Sequence, residues 1–284
     1  MIFKHLTIAI VSYKSNFQLL KCLKSLSALK KILVFDNSND LVLKKKINIK
    51  YPYIKYYSSK KNLGYGVANN FLLKKIKTKY CLLLNPDSRI TIQNILKMLD
   101  IAKKLNDNFF LLTPSNKSYS MKDYFFNKKK NIKKKNIIEI DTTHFYAPLI
   151  NMNKQKKRKI YFDKNFFLYY EDIDFCREIK KKNEKIYLIK NIFAEHYFGK
   201  SSNSKNYNMI RNFHWGWSSV YYYKKHFNDL LFYTYIGKLI LKTIVAFIIY
   251  NFLLNKTRSQ NLKIRLSGIF NAFKTKYDYY REKY

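Results

Sequence analysis

Leu6-Thr7-Ile8-Ala9-Ile10-Val11 and Ile32-Leu33-Val34-Phe35 decide the fold of this chain. Each is a short β-rich run that closes in polar residues: Ser12 after the first, Asp36-Asn37-Ser38-Asn39-Asp40 after the second. Runs that are apolar throughout, rather than alternating, read as strands buried on both faces of a parallel sheet. Between them Phe17, Leu20, Leu23, Leu26 and Leu29 recur at helical spacing, which makes the segment a βαβ unit. Working outward, a third strand is expected at 53–57. Asn62-Leu63-Gly64-Tyr65-Gly66 then opens a helix that runs to Ile76. A fourth strand, Tyr80-Cys81-Leu82-Leu83-Leu84, runs into Asn85-Pro86-Asp87. Open α/β sheets gather ligand-binding groups at the carboxyl ends of their strands. Asp36 and Asp87 both stand at such ends.

Residues 91–105 read as a further helix and 109–112 as a strand. The lysine-rich stretch 115–159, with Lys128-Lys129-Lys130 and Lys133-Lys134-Lys135, has poor periodicity and reads as a solvated loop or hairpin. Order returns at Phe166-Phe167-Leu168-Tyr169-Tyr170-Glu171-Asp172-Ile173-Asp174-Phe175-Cys176-Arg177, where an aromatic run meets three carboxylates at the start of a helix. Strand-like 185–189 and 192–195 lead to His196 and on to Gly199-Lys200-Ser201-Ser202. Beyond about residue 205 the pattern is helical and aromatic, with an apolar stretch over 230–254 that Lys238 and Lys242 interrupt. The longest uncharged run there, 243–254, is twelve residues, short of the roughly 20 a spanning helix needs. An interfacial helix and a plain core helix are the two readings favoured there.

The composition narrows the field. With 284 residues, 47% hydrophobic and 26% charged, the chain is long enough for a large core and is globular in type. Six glycines and four prolines exclude collagen-like and Gly/Pro low-complexity architectures. Cys22, Cys81 and Cys176 form no CxxC pair, so neither a disulfide framework nor a thiolate zinc site is indicated, and a reducing compartment fits. The first residues run straight into an apolar segment too short for a signal peptide, so a cytoplasmic location is expected. The net charge of +38 is spread evenly: 200–284 carry 15 basic and 3 acidic side chains, the rest 41 and 15. Compositional bias, attraction to an anionic membrane surface and nucleic-acid binding could each produce it. No nucleic-acid module is recognisable, so no nucleic acid is expected as partner.

Several enzyme classes lose their anchors. Gly199-Lys200-Ser201 mimics the end of a phosphate-binding loop, but the glycine required five residues earlier is Ala194. Asn62–Gly66 fails the dinucleotide fingerprint, whose third glycine would fall at Asn69. There is no G-x-S-x-G elbow and no H-E-x-x-H helix. What remains is acidic. Asp87, held out of a helix by Pro86, is either a cap for the helix starting near Thr91 or a ligand for a hard divalent cation. His196 is either an ordinary hydrogen-bonded strand-end histidine or the second ligand. Glu171, Asp172 and Asp174 either cap a helix N-terminus or, by mutual repulsion, provide a general base.

Taken together and in order, six segments resemble a family 2 glycosyltransferase of the rhamnosyltransferase-like branch. They are Ile8-Ala9-Ile10-Val11-Ser12-Tyr13, Val34-Phe35-Asp36-Asn37-Ser38, Asn62-Leu63-Gly64-Tyr65-Gly66-Val67-Ala68-Asn69, Leu84-Asn85-Pro86-Asp87, the run from Phe166 to Cys176, and His196 with Gly199-Lys200-Ser201-Ser202. The resemblance spans about residues 5–202. It implies a GT-A fold, an α/β Rossmann-like mixed sheet flanked by helices, over residues 1–204, followed by a helical C-terminal extension over 205–284. It also implies a nucleotide-diphosphate sugar donor, a divalent cation (Mn²⁺ or Mg²⁺) and inversion at the anomeric carbon. By the same resemblance Asp36 contacts the nucleobase, and Ser12, Tyr13, Asn62, Gly64, Asn69 and Asn85 belong to the donor pocket. Asp87 and His196 hold the metal, Asp172 is the base, and Glu171 and Asp174 orient the acceptor or cap the helix.

Two places depart from the family pattern. Asn85 stands where many relatives carry a second Asp, and Asp141-Thr142-Thr143-His144-Phe145 stands where relatives often have small residues lining the acceptor side. The expectation is transfer of a sugar, rhamnose by the branch resembled, to a lipid-linked or surface-polysaccharide acceptor at the inner face of the plasma membrane. The rival is a catalytically inactive polysaccharide- or membrane-surface-binding protein of the same fold.

Overall fold

In a computed structural model of the chain, the described residues are 2–126, 136–197 and 205–274. They fall into two compact units. The first comprises Met1–Leu63, Val67–Phe162 and Asp172–Ser201; the second, besides Ser202–Tyr284, takes in Gly64–Gly66 and Asp163–Glu171.

The strands are β1 (Leu6–Ser12), β2 (Ile32–Asp36), β3 (Lys55–Ser58), β4 (Tyr80–Leu83), β5 (Ser88–Arg89), β6 (Leu111–Ser115), β7 (Ile137–Ile140), β8 (Leu149–Asn151), β9 (Ile186–Phe193) and β10 (Glu195–His196). The helices are α1 (Asn16–Ser25), α2 (Leu41–Lys50), α3 (Tyr65–Lys75), α4 (Ile92–Lys104), α5 (Met152–Arg158), α6 (Glu171–Lys181), α7 (Lys205–His226), α8 (Asp229–Phe252) and α9 (Lys256–Lys274). Eight strands form one sheet in the order β3-β2-β1-β4-β8-β6-β9-β7, and β5 and β10 form a separate ribbon.

The expected parallel βαβ start is present: β1 pairs in parallel with both β2 and β4, and β2 with β3. Every residue of β1, β2 and β4 is buried, as an unbroken apolar run requires when helices cover both faces. α1 turns Leu19, Cys22 and Leu23 inward, and α4 does so with Ile95, Met98, Leu99 and Ala102. The N-cap of α2 is Asp40, whose Oδ1 accepts from the Leu43 amide at 2.8 Å. That bond and one from Asn16 hold the Asp40 carboxyl below the usual range.

The stretch 115–159 is not the solvated loop its lysines suggest. It contains β7, α5 and, most importantly, β8, which lies in the middle of the sheet antiparallel to both β4 and β6 with all three residues buried. The lysine runs at 128–130 and 133–135 lie outside the described residues. Likewise 185–189 and 192–195 are not two strands. One strand, β9, runs on through Phe193, and Glu195 begins the short β10. Because β8 reverses direction, β6 runs the same way as β4, and β9 is parallel to β6. The carboxyl ends of β1, β2, β4, β6 and β9, and the chain entering β8, therefore share one edge of the sheet.

In the second unit, α7 grips the aromatic segment. Ser218 Oγ donates to Leu168 O at 2.8 Å, and Arg211 Nε to the Tyr169 hydroxyl at 2.7 Å. Lys225 reaches Asp163 at 2.8 Å, and the Tyr170 ring packs against Tyr222 and Trp215. These contacts hold Tyr169 and Tyr170 at φ +68° and +67°, two consecutive left-handed residues that are not glycine. Such backbone costs about 1–3 kcal/mol per residue and persists only where surroundings enforce it. Gly64 sits at φ +79°, and a Cβ there would lie 2.6 Å from Phe167 O.

Gly64→Ala should therefore cost about 1–3 kcal/mol, lowering Tm by about 2–4 °C per kcal/mol in a thermal melt. Gly64→Asn should recover little of this, because its Cβ meets the same oxygen even though asparagine tolerates positive φ. A wild-type Tm for both variants would contradict the assignment.

Candidate active site

The turn leaving β4 carries Asp87, only 6% exposed. It does not cap the following helix: the N-cap of α4 is Thr91, whose Oγ1 accepts from the Asn94 amide at 3.1 Å. Asp87 instead meets His196. The β5–β10 ribbon sets Ser88 opposite His196 and Arg89 opposite Glu195, and the Tyr197 amide donates to Asp87 O at 3.1 Å. This register brings His196 Nε2 to 3.3 Å from Asp87 Oδ1. Two residues earlier, Asn85 Oδ1 is a buried acceptor with no hydrogen-bond partner, while its backbone amide donates to Tyr146 O at 3.1 Å. A carboxylate, an imidazole nitrogen and an unsatisfied amide oxygen fit a hard divalent cation that completes its shell with water and phosphate oxygens.

From His196 an aromatic column leads to the second acidic residue. The His196 ring lies 5.9 Å from that of Tyr146, Tyr146 5.6 Å from Tyr119, and Tyr119 4.0 Å from His144, with interplanar angles of 18°, 23° and 13°. The Tyr119 hydroxyl is 3.5 Å from His196 Nδ1. At the far end His144 Nδ1 is 3.6 Å from Asp172 Oδ2. Burial, reinforced by the negative charge of Asp172, Asp87 and Asp123 and by Tyr124, pushes the Tyr119 phenol well above its ordinary value, so it stays protonated at neutral pH. The column itself is anchored from behind, where the Tyr146 hydroxyl donates to Pro114 O.

Burial separates the three clustered acids. Asp174 is fully buried and Glu171 8% exposed, whereas the Asp172 side chain is 21% exposed. Asp172 Oδ1 accepts from the Ile173 amide at 2.8 Å, which leaves Oδ2 facing His144. Of the three it is the most exposed.

The residues expected to line a donor pocket are more constrained. Asp36 is fully buried, and its carboxylate accepts from the Ser38 amide at 3.0 Å, the Ser38 hydroxyl, the Asp40 amide at 2.8 Å and the Tyr56 hydroxyl at 2.9 Å. In this structure it organises the loop after β2, with both oxygens already engaged. Ser12 is buried, bonded through Oγ to Ser15 Oγ at 2.8 Å, and its carbonyl accepts from the Asn37 amide. Asn37 Oδ1 in turn accepts from the Leu63 amide at 3.1 Å, tying the loop after β2 to the Asn62-Leu63 segment. Tyr13 and Asn62 are half-buried and Asn69 is buried. Gly64 belongs to the second unit, and 199–202 lie outside the described residues.

Sequence reasoning missed Tyr119, Tyr146 and Asn70. The Asn70 amide group clamps the Phe162 backbone with bonds of 2.8 and 2.9 Å. For His144 the signal was its place in a stretch where small residues were expected.

The sequence model described as glycosyl transferase family 2 matches residues 7–175, more than half the chain. The chain belongs to this family. The low-salt glycan biosynthesis hexosyltransferase Agl10 of Haloferax volcanii is 26% identical over 199 residues, 64% of this chain and 63% of that protein. The chain thus matches less than two thirds of the length of this curated relative. Among solved structures, the mannosyltransferase PcManGT from Pyrobaculum calidifontis, in complex with GDP-Man and Mn²⁺, superposes with a TM-score of 0.60 at 9% identity, covering 95% of this chain and 87% of that one. TarS of S. aureus gives 0.53 at 12% identity, with coverages of 92% and 55%. GalNAc-T7 with UDP, GalNAc and Mn²⁺ gives 0.54 at 12%, with coverages of 76% and 51%. At these identities the likeness speaks to fold, and the fold is the GT-A type that the sequence segments imply.

For this family 2 chain, Asp87→Ala should weaken Mn²⁺-dependent binding of UDP or GDP by about 10–100-fold, the usual cost of disturbing a metal's protein shell. Calorimetry with and without Mn²⁺ measures this. Equal Mn²⁺ dependence in wild type and variant would remove Asp87 from the cation site.

Proposed function

We propose that the protein is an inverting glycosyltransferase that moves a hexose or 6-deoxyhexose such as rhamnose from a nucleotide-diphosphate donor to a saccharide or lipid-linked acceptor. The observation that carries this is the chain of contacts that links the Asp87–His196 pair to the partly exposed Asp172 through Tyr119 and His144. The family match and the nucleotide sugars and Mn²⁺ named with two of the structural neighbours support the same reading.

Asp87, His196 and Asn85 would hold the divalent cation, which when bound supplies positive charge against the departing diphosphate. Asp172 takes the proton from the acceptor hydroxyl as that oxygen bonds to the anomeric carbon. The bond from that carbon to the diphosphate oxygen breaks, and its electron pair leaves with the nucleotide. One displacement from the opposite face inverts the centre. Glu171 and Asp174, both buried, orient the acceptor or cap the helix.

We extend the proposal to location: the second unit rests on an anionic membrane surface at the cytoplasmic face. α8 is long and apolar enough to cross a membrane by length and composition, yet only 17% of its most apolar window is buried. Its inward face is Phe232, Ile236 and Thr243. Leu241, Val245, Ile248 and Phe252, at spacings of four, three and four, form an exposed apolar stripe. Leu253 and Leu254 extend it, and exposed Lys238, Lys242, Lys256 and Arg258 supply charge complementary to anionic headgroups.

Asp172→Asn should keep nucleotide binding but lose turnover by about 10²–10⁴-fold against a panel of UDP-, GDP- and dTDP-sugars. Nucleotide binding with turnover indifferent to Asp172 would point to the silent binder. Separately, the protein should sediment with phosphatidylglycerol-containing vesicles and less with phosphatidylcholine alone, and Ile248→Glu should abolish the difference. Sedimentation independent of both would refute the membrane clause.

A further inference from the structure

We propose that His144 is a positioning residue for Asp172, aiming the carboxylate at the acceptor hydroxyl and holding it there through the proton transfer. The inference rests on the reading of Asp172 as the base and deepens it.

The geometry confines Asp172 from two directions. Its Oδ1 is fixed by the Ile173 amide at 2.8 Å, within the first turn of α6. Oδ2, the oxygen left to meet the acceptor, has His144 Nδ1 at 3.6 Å as its neighbour. That separation is an ion-pair contact, slightly long for a hydrogen bond. Catalytic contacts in ligand-free sites are commonly loose and tighten once substrate is bound. The imidazole is itself held. Tyr119 stacks on it at 4.0 Å and 13°, close to parallel, while Thr143 next to it is buried and donates through Oγ1 to Thr113 Oγ1 at 3.0 Å. The side chains of His144 and Asp172 are 34% and 21% exposed, so both are partly accessible to solvent.

The chemistry follows from a carboxylate's rotational freedom. With one oxygen held by a backbone amide, the plane of the group can still turn, and Oδ2 can swing away from the attacking oxygen. An Nδ1–H donor on Oδ2 fixes the plane and leaves another lone pair of that oxygen for the hydroxyl proton. His144 does not touch the sugar in this scheme; it acts through Asp172.

The test uses the full chain and measures Mn²⁺-dependent hydrolysis of the sugar nucleotide that wild type turns over fastest, alongside UDP or GDP affinity by calorimetry. His144→Ala should lower kcat by about 10–100-fold, with KM for the donor and nucleotide affinity within about twofold of wild type. His144→Asn, whose side-chain amide puts a donor close to the Nδ1 position, should recover a large part of the lost kcat. The double variant His144→Ala with Asp172→Asn should be no slower than Asp172→Asn alone, because a residue that acts through the base has nothing left to act on. An unchanged kcat in His144→Ala, with Asp172→Asn inactive, overturns the role of His144 and leaves the base standing. Equal loss in the Ala and Asn variants with weakened nucleotide affinity overturns it in favour of a packing role. Full turnover in Asp172→Asn, or none in wild type with any sugar nucleotide, overturns both readings.

Discussion

A ribbon of two residue pairs, Ser88 with His196 and Arg89 with Glu195, closes the site on which the rest depends. Neither β5 nor β10 joins the main sheet, and neither is long enough to be stable alone. Their pairing carries the chain leaving β9 back across to the turn after β4, more than a hundred residues earlier. Shifting the register by one residue would turn His196 to the other face and remove its imidazole from Asp87. The large sheet makes the ribbon possible. With β8 reversed, the carboxyl ends of β4, β6 and β9 fall on one edge, so the loops bearing Asp87, Tyr119 and His196 rise from the same side.

Glu171 opens α6 directly after two left-handed tyrosines, Tyr169 and Tyr170, which side chains of α7 hold within the second unit. Stored backbone strain of this kind clusters where geometry must be kept. Of the three neighbouring carboxylates Glu171 and Asp174 are buried, and Asp172, proposed as the base, is partly exposed. Tyr119, kept protonated by burial and by the acids around it, can lie between Asp87 and Asp172 without adding a third negative charge.

Much of the frame was legible in the sequence because it is buried on both faces. β1, β2 and β4 are continuous apolar runs for that reason, whereas the stripe read between β1 and β2 is only partly inward, with Leu23, Leu26 and Leu29 buried and Phe17 exposed. β8 escaped because three residues show no period, and Leu149-Ile150-Asn151 sits among lysines that suggest solvent. Asp87 could be read from its strand end and the proline before it, although the choice between cap and ligand needed Thr91 and His196 in place. The engagement of both Asp36 oxygens could not be foreseen, since Tyr56 comes from a neighbouring strand. The column of Tyr119, Tyr146 and His144 was invisible for a related reason. Its members come from two separate loops, and ring stacking leaves no spacing signature.

The central claim is that Asp87 marks where the diphosphate is held and that Asp172 faces the same space. Anomalous diffraction from crystals grown with UDP and Mn²⁺ addresses it directly. The account predicts one manganese peak coordinated by an Asp87 carboxylate oxygen, with the diphosphate on it and the Asp172–His144 pair across the cleft. Manganese bound to other carboxylates, or the nucleotide seated away from the β4 strand end, would contradict it.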